Sequence, residues 1–101
     1  MGYGVARITV GVAPTADLDE VIALINETGK KMAEEEKWQK KILEIPKFVV
    51  VNEFTASNVE LVISSKTPPS DQWSVASELR RRLFETFEKH KIPLGSNSTK
   101  K

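Results

Sequence analysis

The run Arg80-Arg81-Arg82 is the densest cluster of charge in this sequence, and a phosphate backbone is the first chemistry it suggests. On a helix, however, three consecutive residues spread over about 200°, so the run makes no single basic patch. Glu78 and Glu85 stand within helical reach of it and can pair with it across turns. The run therefore reads as a solvated or subunit-contact face. His90, the sole histidine, lies among Glu88, Lys89 and Lys91 near the end of a helical stretch, where a basic group suits the negative end of the helix dipole. No second histidine, cysteine or tight acid cluster stands by to complete a metal site. Glu53, beside Asn52, is the one acid embedded in an apolar stretch, yet no nucleophile or second carboxylate is placed to work with it. A strand-end or interface hydrogen bond is its simpler role. These residues define no catalytic, cofactor-binding or metal site.

Trp73 poses a different question, because it directly follows the turn Lys66-Thr67-Pro68-Pro69 and opens a helical stretch. It either staples the helix over a sheet edge or stays exposed for a partner, where tryptophan is favoured.

The elements that must position these residues follow from periodicity. Val5 to Val12 alternates as a strand, with Ala6, Ile8, Val10 and Val12 on one face, and Pro14 ends it. Asp17 or Thr15 can cap the helix that follows, and Glu20 three residues after Asp17 resembles a capping box. Leu18, Val21, Ile22, Ile25, Met32 and Ala33 form its apolar stripe, in which Gly29 is a weak point. The helical signal resumes around Trp38 and Ile42, as one long helix or as a helix and a short second one, ending before Pro46. The charges from Glu34 to Lys41 read as its solvated face. A second helix is expected after the Pro-Pro turn, capped by Ser70 or Asp71, with Trp73, Ala76, Leu79, Leu83, Phe84 and Phe87 as its stripe. Ile92-Pro93-Leu94 reads as a short last strand at an edge, and residues 95–101 as a disordered polar tail.

Between the helices lies the stretch Phe48 to Ser64, two strands joined by the small polar link Thr55 to Asn58. The second alternates cleanly: Val59, Leu61 and Ile63 on one side, Glu60, Val62 and Ser64 on the other. The first is apolar on both sides, with Phe48, Val50 and Phe54 sharing one face and Val49 and Val51 the opposite one. Strict alternation then leaves Val49 and Val51, with Val62 as their neighbour, on a surplus apolar face for a partner. The order βαββαβ, with one stripe per helix, predicts an α+β, two-layer ferredoxin-like sandwich: two helices on one face of a four-stranded sheet.

Composition limits what such a domain does. With 101 residues, 40% hydrophobic and 29% charged, the chain fits one domain, residues 1–94. A formal charge of +1 argues against a strongly electrostatic nucleic-acid or membrane binder. The strands from Val5 to Val12 and Val59 to Ser64 lack the stacking aromatics of an RNA-recognition module, and no phosphate-binding glycine loop is present. There is no cysteine, hence no disulfide framework or thiol nucleophile. The longest apolar run, Phe48 to Val51, is far short of the ~20 residues that span a bilayer.

With the elements placed, the order of motifs resembles a known family. Trp38, Ile42, Leu43, Pro46, Glu53, Ser57, Lys66 and Thr67, then Gln72, Trp73, Val75, Glu78, Leu79, Arg80-Arg81-Arg82, Phe87 and Ile92, are similar in order and spacing to the C-terminal cytoplasmic α/β domain of MscS-type (small-conductance) mechanosensitive channels. The opening strand and "PTADLDE" match that domain's strand–D-x-D–helix start. Two departures stand out: Lys91 occupies the family's usual glycine before the final Ile, and "LGSNSTKK" replaces its Pro-Phe-Pro-like continuation.

The resemblance implies a vestibule-wall module on the cytoplasmic face of a membrane, in a homo-oligomer that is a heptamer in the full-length channel. It would adjoin the pore and β-rich domains of the same channel and meet the membrane only through the missing transmembrane part. Such channels release ions and small osmolytes under hypo-osmotic tension; this chain, lacking the pore, would contribute packing and portal filtering, with no catalytic residue, cofactor or nucleic-acid partner. Val49, Val51, Val62 and Trp73 are then the expected subunit or domain contacts. The alternative is a stand-alone regulatory small-molecule-binding domain of ferredoxin-like type with its ligand near Val12 to Asp17, where Ala13-Pro14-Thr15-Ala16 offers little of a polar pocket. An acylphosphatase-type enzyme ranks last, since no anion-cradling loop with a placed arginine follows the first strand.

Overall fold

The computed structural model describes residues 2 to 95, so the expectation for the tail beyond Gly95 lies outside the described residues. The chain runs β1 (Gly4–Val12), α1 (Leu18–Glu34), α2 (Glu36–Gln39), β2 (Glu44–Phe54), β3 (Val59–Thr67) and α3 (Gln72–Lys89). Asp17 caps α1 as its position suggests: its carboxylate accepts from the Asp19 and Glu20 N–H groups at 3.1 and 3.3 Å. Asp71 is the residue before α3, but its side chain makes no capping bond. The helical signal that continues past Glu34 breaks at Glu35, and α2 is a separate single turn that buries Trp38.

The sheet has three antiparallel strands in the order β1-β3-β2, with β3 central. The α1 helix packs over β2, and α3 packs over β1. Ala6, Ile8 and Val12 of β1, Val59, Leu61 and Ile63 of β3, Val21, Ile25 and Met32 of α1, and Val75, Leu79 and Leu83 of α3 meet in one core between sheet and helices. Each buried Val, Ile, Leu or Met side chain among them contributes roughly 1.5–3 kcal/mol by leaving water, which is what holds the two layers together.

Two expectations need correction. The sheet is not four-stranded among the described residues: Ile92-Pro93-Leu94 forms only one bridge, Leu94 opposite Val12. It is fastened by the Ala13 N–H to the Pro93 carbonyl at 2.8 Å and the Gly95 N–H to the Gly11 carbonyl at 3.1 Å. Proline has no N–H to donate, so the segment cannot extend a ladder across position 93. Second, Pro46 does not precede β2 but lies inside it, buried. An edge strand tolerates it because one side of its backbone needs no ladder partner.

Gly29, the apparent flaw in α1, is a contact point. A Cβ at Gly29 would overlap the Pro46 carbonyl, so only glycine lets α1 lie this close to β2.

Candidate functional site

Among the described residues, the face of the sheet opposite the helices has no layer upon it, and the ladder register fixes what it presents. Paired residues in an antiparallel ladder share a face. The outer rows are Val5–Lys66–Glu44, Arg7–Ser64–Lys47, Thr9–Val62–Val50 and Gly11–Glu60–Glu53. These rows overturn the face assignment that strict alternation gives for β2. Its register shifts between Phe48 and Val50, and again between Val51 and Glu53, each time inserting one extra residue against β3. Phe48, Val51 and Phe54 consequently pair with the core-facing Ile63, Leu61 and Val59, while Val50 pairs with Val62 on the outer side. Val49 and Val51 therefore do not flank Val62 on a common face. A stretch that reads as apolar on both sides, Phe48 to Phe54, is one whose alternation is reset twice.

Of the residues expected at an interface, Val49 is 48% exposed, Val51 37% and Trp73 74%, whereas Val62 is 1% exposed, covered on the central strand within this chain. Val62 is thus corrected from contact residue to the floor of the patch. Val50, 45% exposed beside it, belongs to that patch although strict alternation puts it on the core side; only the bulge, which leaves no simple mark in sequence, places it outside. Asn52, the extra residue of the second bulge, donates to Glu60 at 2.7 Å. Glu53 lies on the same outer face, opposite Glu60, in no catalytic arrangement. Trp73 is too exposed to be a staple, and Phe84, expected in the buried stripe of α3, is exposed as well; Val75 takes the core position instead.

The arginine run resolves into a network. Arg81 donates to Glu78 at 2.6 and 3.1 Å and to Glu85 at 2.8 Å, as helical spacing suggests. Arg82 donates to Glu78 at 2.7 Å and grips Glu35 with two bonds, 2.7 and 2.8 Å. Glu35 joins α1 to α2, so this pair ties α3 to that junction across 47 residues of chain, a contact no local spacing reveals. The Arg81 hydrogen bond, joined by that of Arg82 and opposed by burial, holds the Glu78 carboxyl down at about 2. The Arg82 hydrogen bond likewise lowers Glu35, and Glu35 foremost raises Arg82. Arg80 has no carboxylate partner among the described residues. Arg81 and Arg82 thus behave as structural groups, and Arg80 is the cation left over. His90 sits at the α3 terminus with Nδ1 3.0 Å from the Thr86 carbonyl, in keeping with a helix-end role.

An open groove of about 680 Å³ runs between α1 and the start of β2, lined by Asn26, Lys30, Leu43, Ile45, Pro46 and Phe48. A smaller cleft of about 220 Å³ separates α1 from α3, where Thr28 and Thr86 face each other at 3.5 Å. Neither gathers a nucleophile with a base or a set of metal-type ligands. What the molecule offers is surface: an uncovered sheet face, exposed aromatics on α3 and two strand edges. Among the described residues, no helix is long and apolar enough to cross a membrane.

That description is of an interaction module, and comparison with known proteins gives it a family. Residues 6–94 match the family described as mechanosensitive ion channel MscS, C-terminal, and the chain belongs to that family, which is one of channel domains rather than enzymes. Its fold is similar to Helicobacter pylori MscS in the closed state, at a TM-score of 0.75 and 18% identity, over 100% of this chain and 38% of that one. It is also similar to Arabidopsis thaliana MSL1, at a TM-score of 0.69 and 18% identity, over 96% of this chain and 35% of that one, and to the A320V form of MSL1 at the same TM-score and identity, over 36% of that chain. The chain therefore spans little more than a third of the length of these channels. A search of curated protein sequences returned no match.

Proposed function

We propose that this chain is the vestibule-wall module of an MscS-type mechanosensitive channel. It stands on the cytoplasmic side of the membrane in a homo-oligomer, a heptamer in the full channel, beneath pore and β-rich domains of the same polypeptide. The channel releases ions and small osmolytes under hypo-osmotic tension, and this domain contributes subunit packing and portal filtering rather than conduction. The observation that carries this reading is the family match, which runs from Ala6 to Leu94 and so covers every element of the fold but the first two residues of β1. The uncovered sheet face supports it, since a valine patch left open in one chain is accounted for if an adjoining domain or subunit covers it. On the same reading the fold is of ferredoxin-like order, its fourth strand reduced to the Leu94 bridge outside β1. Val49, Val51 and Trp73 remain the proposed contacts, Val51 through its exposed flank on the helix side of β2, with Val50 added on the uncovered face.

The test is assembly. Joined to the pore and β-rich domains of an MscS-type channel, the wild-type chain should run as a heptamer by light scattering. Val49→Asp, Val50→Asp and Val51→Asp should each lower the heptameric fraction and the survival of host cells after hypo-osmotic shock. Full assembly and survival in all three would remove the basis for the reading.

A further inference from the structure

The two edges of the sheet are not equivalent. At β2, Pro46 has no N–H, and the Phe48 N–H is taken by the Asn26 side chain at 2.9 Å, so the first half of that edge is closed to another strand. At β1 the edge is bonded only at its far end, through Gly11, Val12 and Ala13 to residues 93–95. In an antiparallel strand the N–H and C=O of one residue leave on the same side, and successive residues alternate. Because the Gly11 carbonyl points outward, the backbone groups of Val5, Arg7 and Thr9 also point away from β3. No strand takes them among the described residues.

The α3 helix runs along this edge, from Gln72 against Gly4 to the Leu94 bridge at Val12. Glu78 and Arg82 occupy the flank of α3 that faces α1. Helical geometry puts Trp73, Arg80 and Phe84 on the opposite flank, on the side of the free edge. A hollow of about 290 Å³ lined by Phe84, Phe87, Ile92 and Leu94 closes the far end. The result is a slot with a hydrogen-bonding floor and an apolar wall. Glu88 and Lys91 offset each other at the hollow, and the other charges beside the slot are Arg7 and Arg80, neither of which has a carboxylate partner among the described residues, while Arg81 and Arg82 do. Residues 96–101, Ser-Asn-Ser-Thr-Lys-Lys, carry no apolar or acidic side chain to match that wall or those cations.

We propose that the free edge of β1 accepts an extended segment of a separate polypeptide, added antiparallel as a further strand, apolar at alternate positions and carrying a carboxylate for Arg7 or Arg80. The outward N–H and C=O groups of Val5, Arg7 and Thr9 supply the main-chain bonds. Trp73 and Phe84 cover the alternate apolar side chains. This rests on the fold and not on the channel reading, so either can fail without the other.

The probe is the capped peptide acetyl-Glu-Val-Asp-Val-Thr-Val-amide, titrated into the full chain and followed by amide NMR. Hydrogen exchange at Val5, Arg7 and Thr9 should slow at least tenfold at saturation, while Ala6, Ile8 and Val10, already bonded to β3, should stay unchanged. Trp73→Ala and Arg80→Glu, both at exposed positions, should each weaken binding about tenfold. A peptide N-methylated at its central residues should not bind, which tests the strand pairing without altering the protein. No shift at millimolar peptide, shifts confined to the β2 edge, or equal binding of the N-methylated peptide would each overturn the proposal. So would protection of the same amides without peptide and with a doubled mass, since a second copy would then hold the slot.

Discussion

The central strand β3 separates two helix–strand pairs that solve the same packing problem differently. On one side α3 lies over β1, a strand in unbroken register with β3 for nine residues, and the helix is anchored beyond its apolar stripe by ion pairs that reach α1. On the other side α1 lies over β2, whose register shifts three times in eleven residues. Bulges bend a strand and increase its local twist, so β2 can follow α1 closely, and Gly29 against Pro46 marks how closely. The irregular side gains an edge whose first half Pro46 and Asn26 close; the regular side keeps an edge that is open up to Gly11 among the described residues. Tight helix–strand approach and a blunted edge come together here, because the same residues produce both.

Breaking the close side should have the largest effect. Gly29→Val puts methyl groups where the Pro46 carbonyl stands, and backbone cannot yield as a flexible side chain does, so a loss of about 3 kcal/mol is expected in urea unfolding. Ser77→Val, on the exposed face of α3, is the control and should change stability by less than about 0.5 kcal/mol. Equal losses would mean that α1 is no more closely packed than α3.

The ion-paired side is broken through Glu78. Its carboxyl is held at about 2 when folded, against an ordinary value of 4.5. A depressed carboxylate stabilises the fold above its unfolded value, so this contribution is full above about pH 4.5 and is lost as pH falls toward 2. Allowing for solvent screening, it amounts to about 2 kcal/mol at neutral pH. Glu78→Gln should remove that amount near pH 7 and flatten the fall in stability between pH 4.5 and 2. An acid slope unchanged in the variant would show that Glu78 carries none of it.

The same contrast explains what could be read from sequence. On the regular side alternation held: Ala6, Ile8 and Val12, and Leu79, Leu83 and Phe87, are buried as their spacing predicts. The core-facing residues of β3 are equally legible. On the irregular side each bulge resets the alternation, and Val50 and Val51 exchange faces relative to the simple pattern. Pro46 looked like a stop because a lone proline signals one, and it is an edge position only once β2 is known to lie outermost. Arg82–Glu35 joins residues that no periodicity connects. As for the interface residues, exposure of Trp73 and burial of Val62 are tertiary facts; the sequence points to Val62 by alternation and to Trp73 by residue type and place after the Pro-Pro turn.

Two smaller changes sharpen the comparison at its margins. Asn26→Ala frees the Phe48 N–H at the β2 edge and should cost about 1 kcal/mol, with faster exchange at the Phe48 amide alone. If exchange there stays slow, the edge is closed by something other than Asn26. On the regular side, α3 ends in a Schellman turn: the Ile92 N–H bonds the Phe87 carbonyl at 2.9 Å and the Lys91 N–H the Glu88 carbonyl at 3.2 Å. That turn sets Lys91 at φ 56°, the left-handed region where a Cβ is unfavourable, and Lys91 is the position where the resemblance noted a departure from glycine. The buried pair Phe87 and Ile92 holds the turn in spite of the lysine. Lys91→Gly should therefore stabilise the chain by about 0.5–1 kcal/mol, read as a rise in Tm of a few degrees. A fall instead would mean that the lost freedom of the unfolded glycine outweighs the relieved strain, and that this terminus is not the strained point of the regular side.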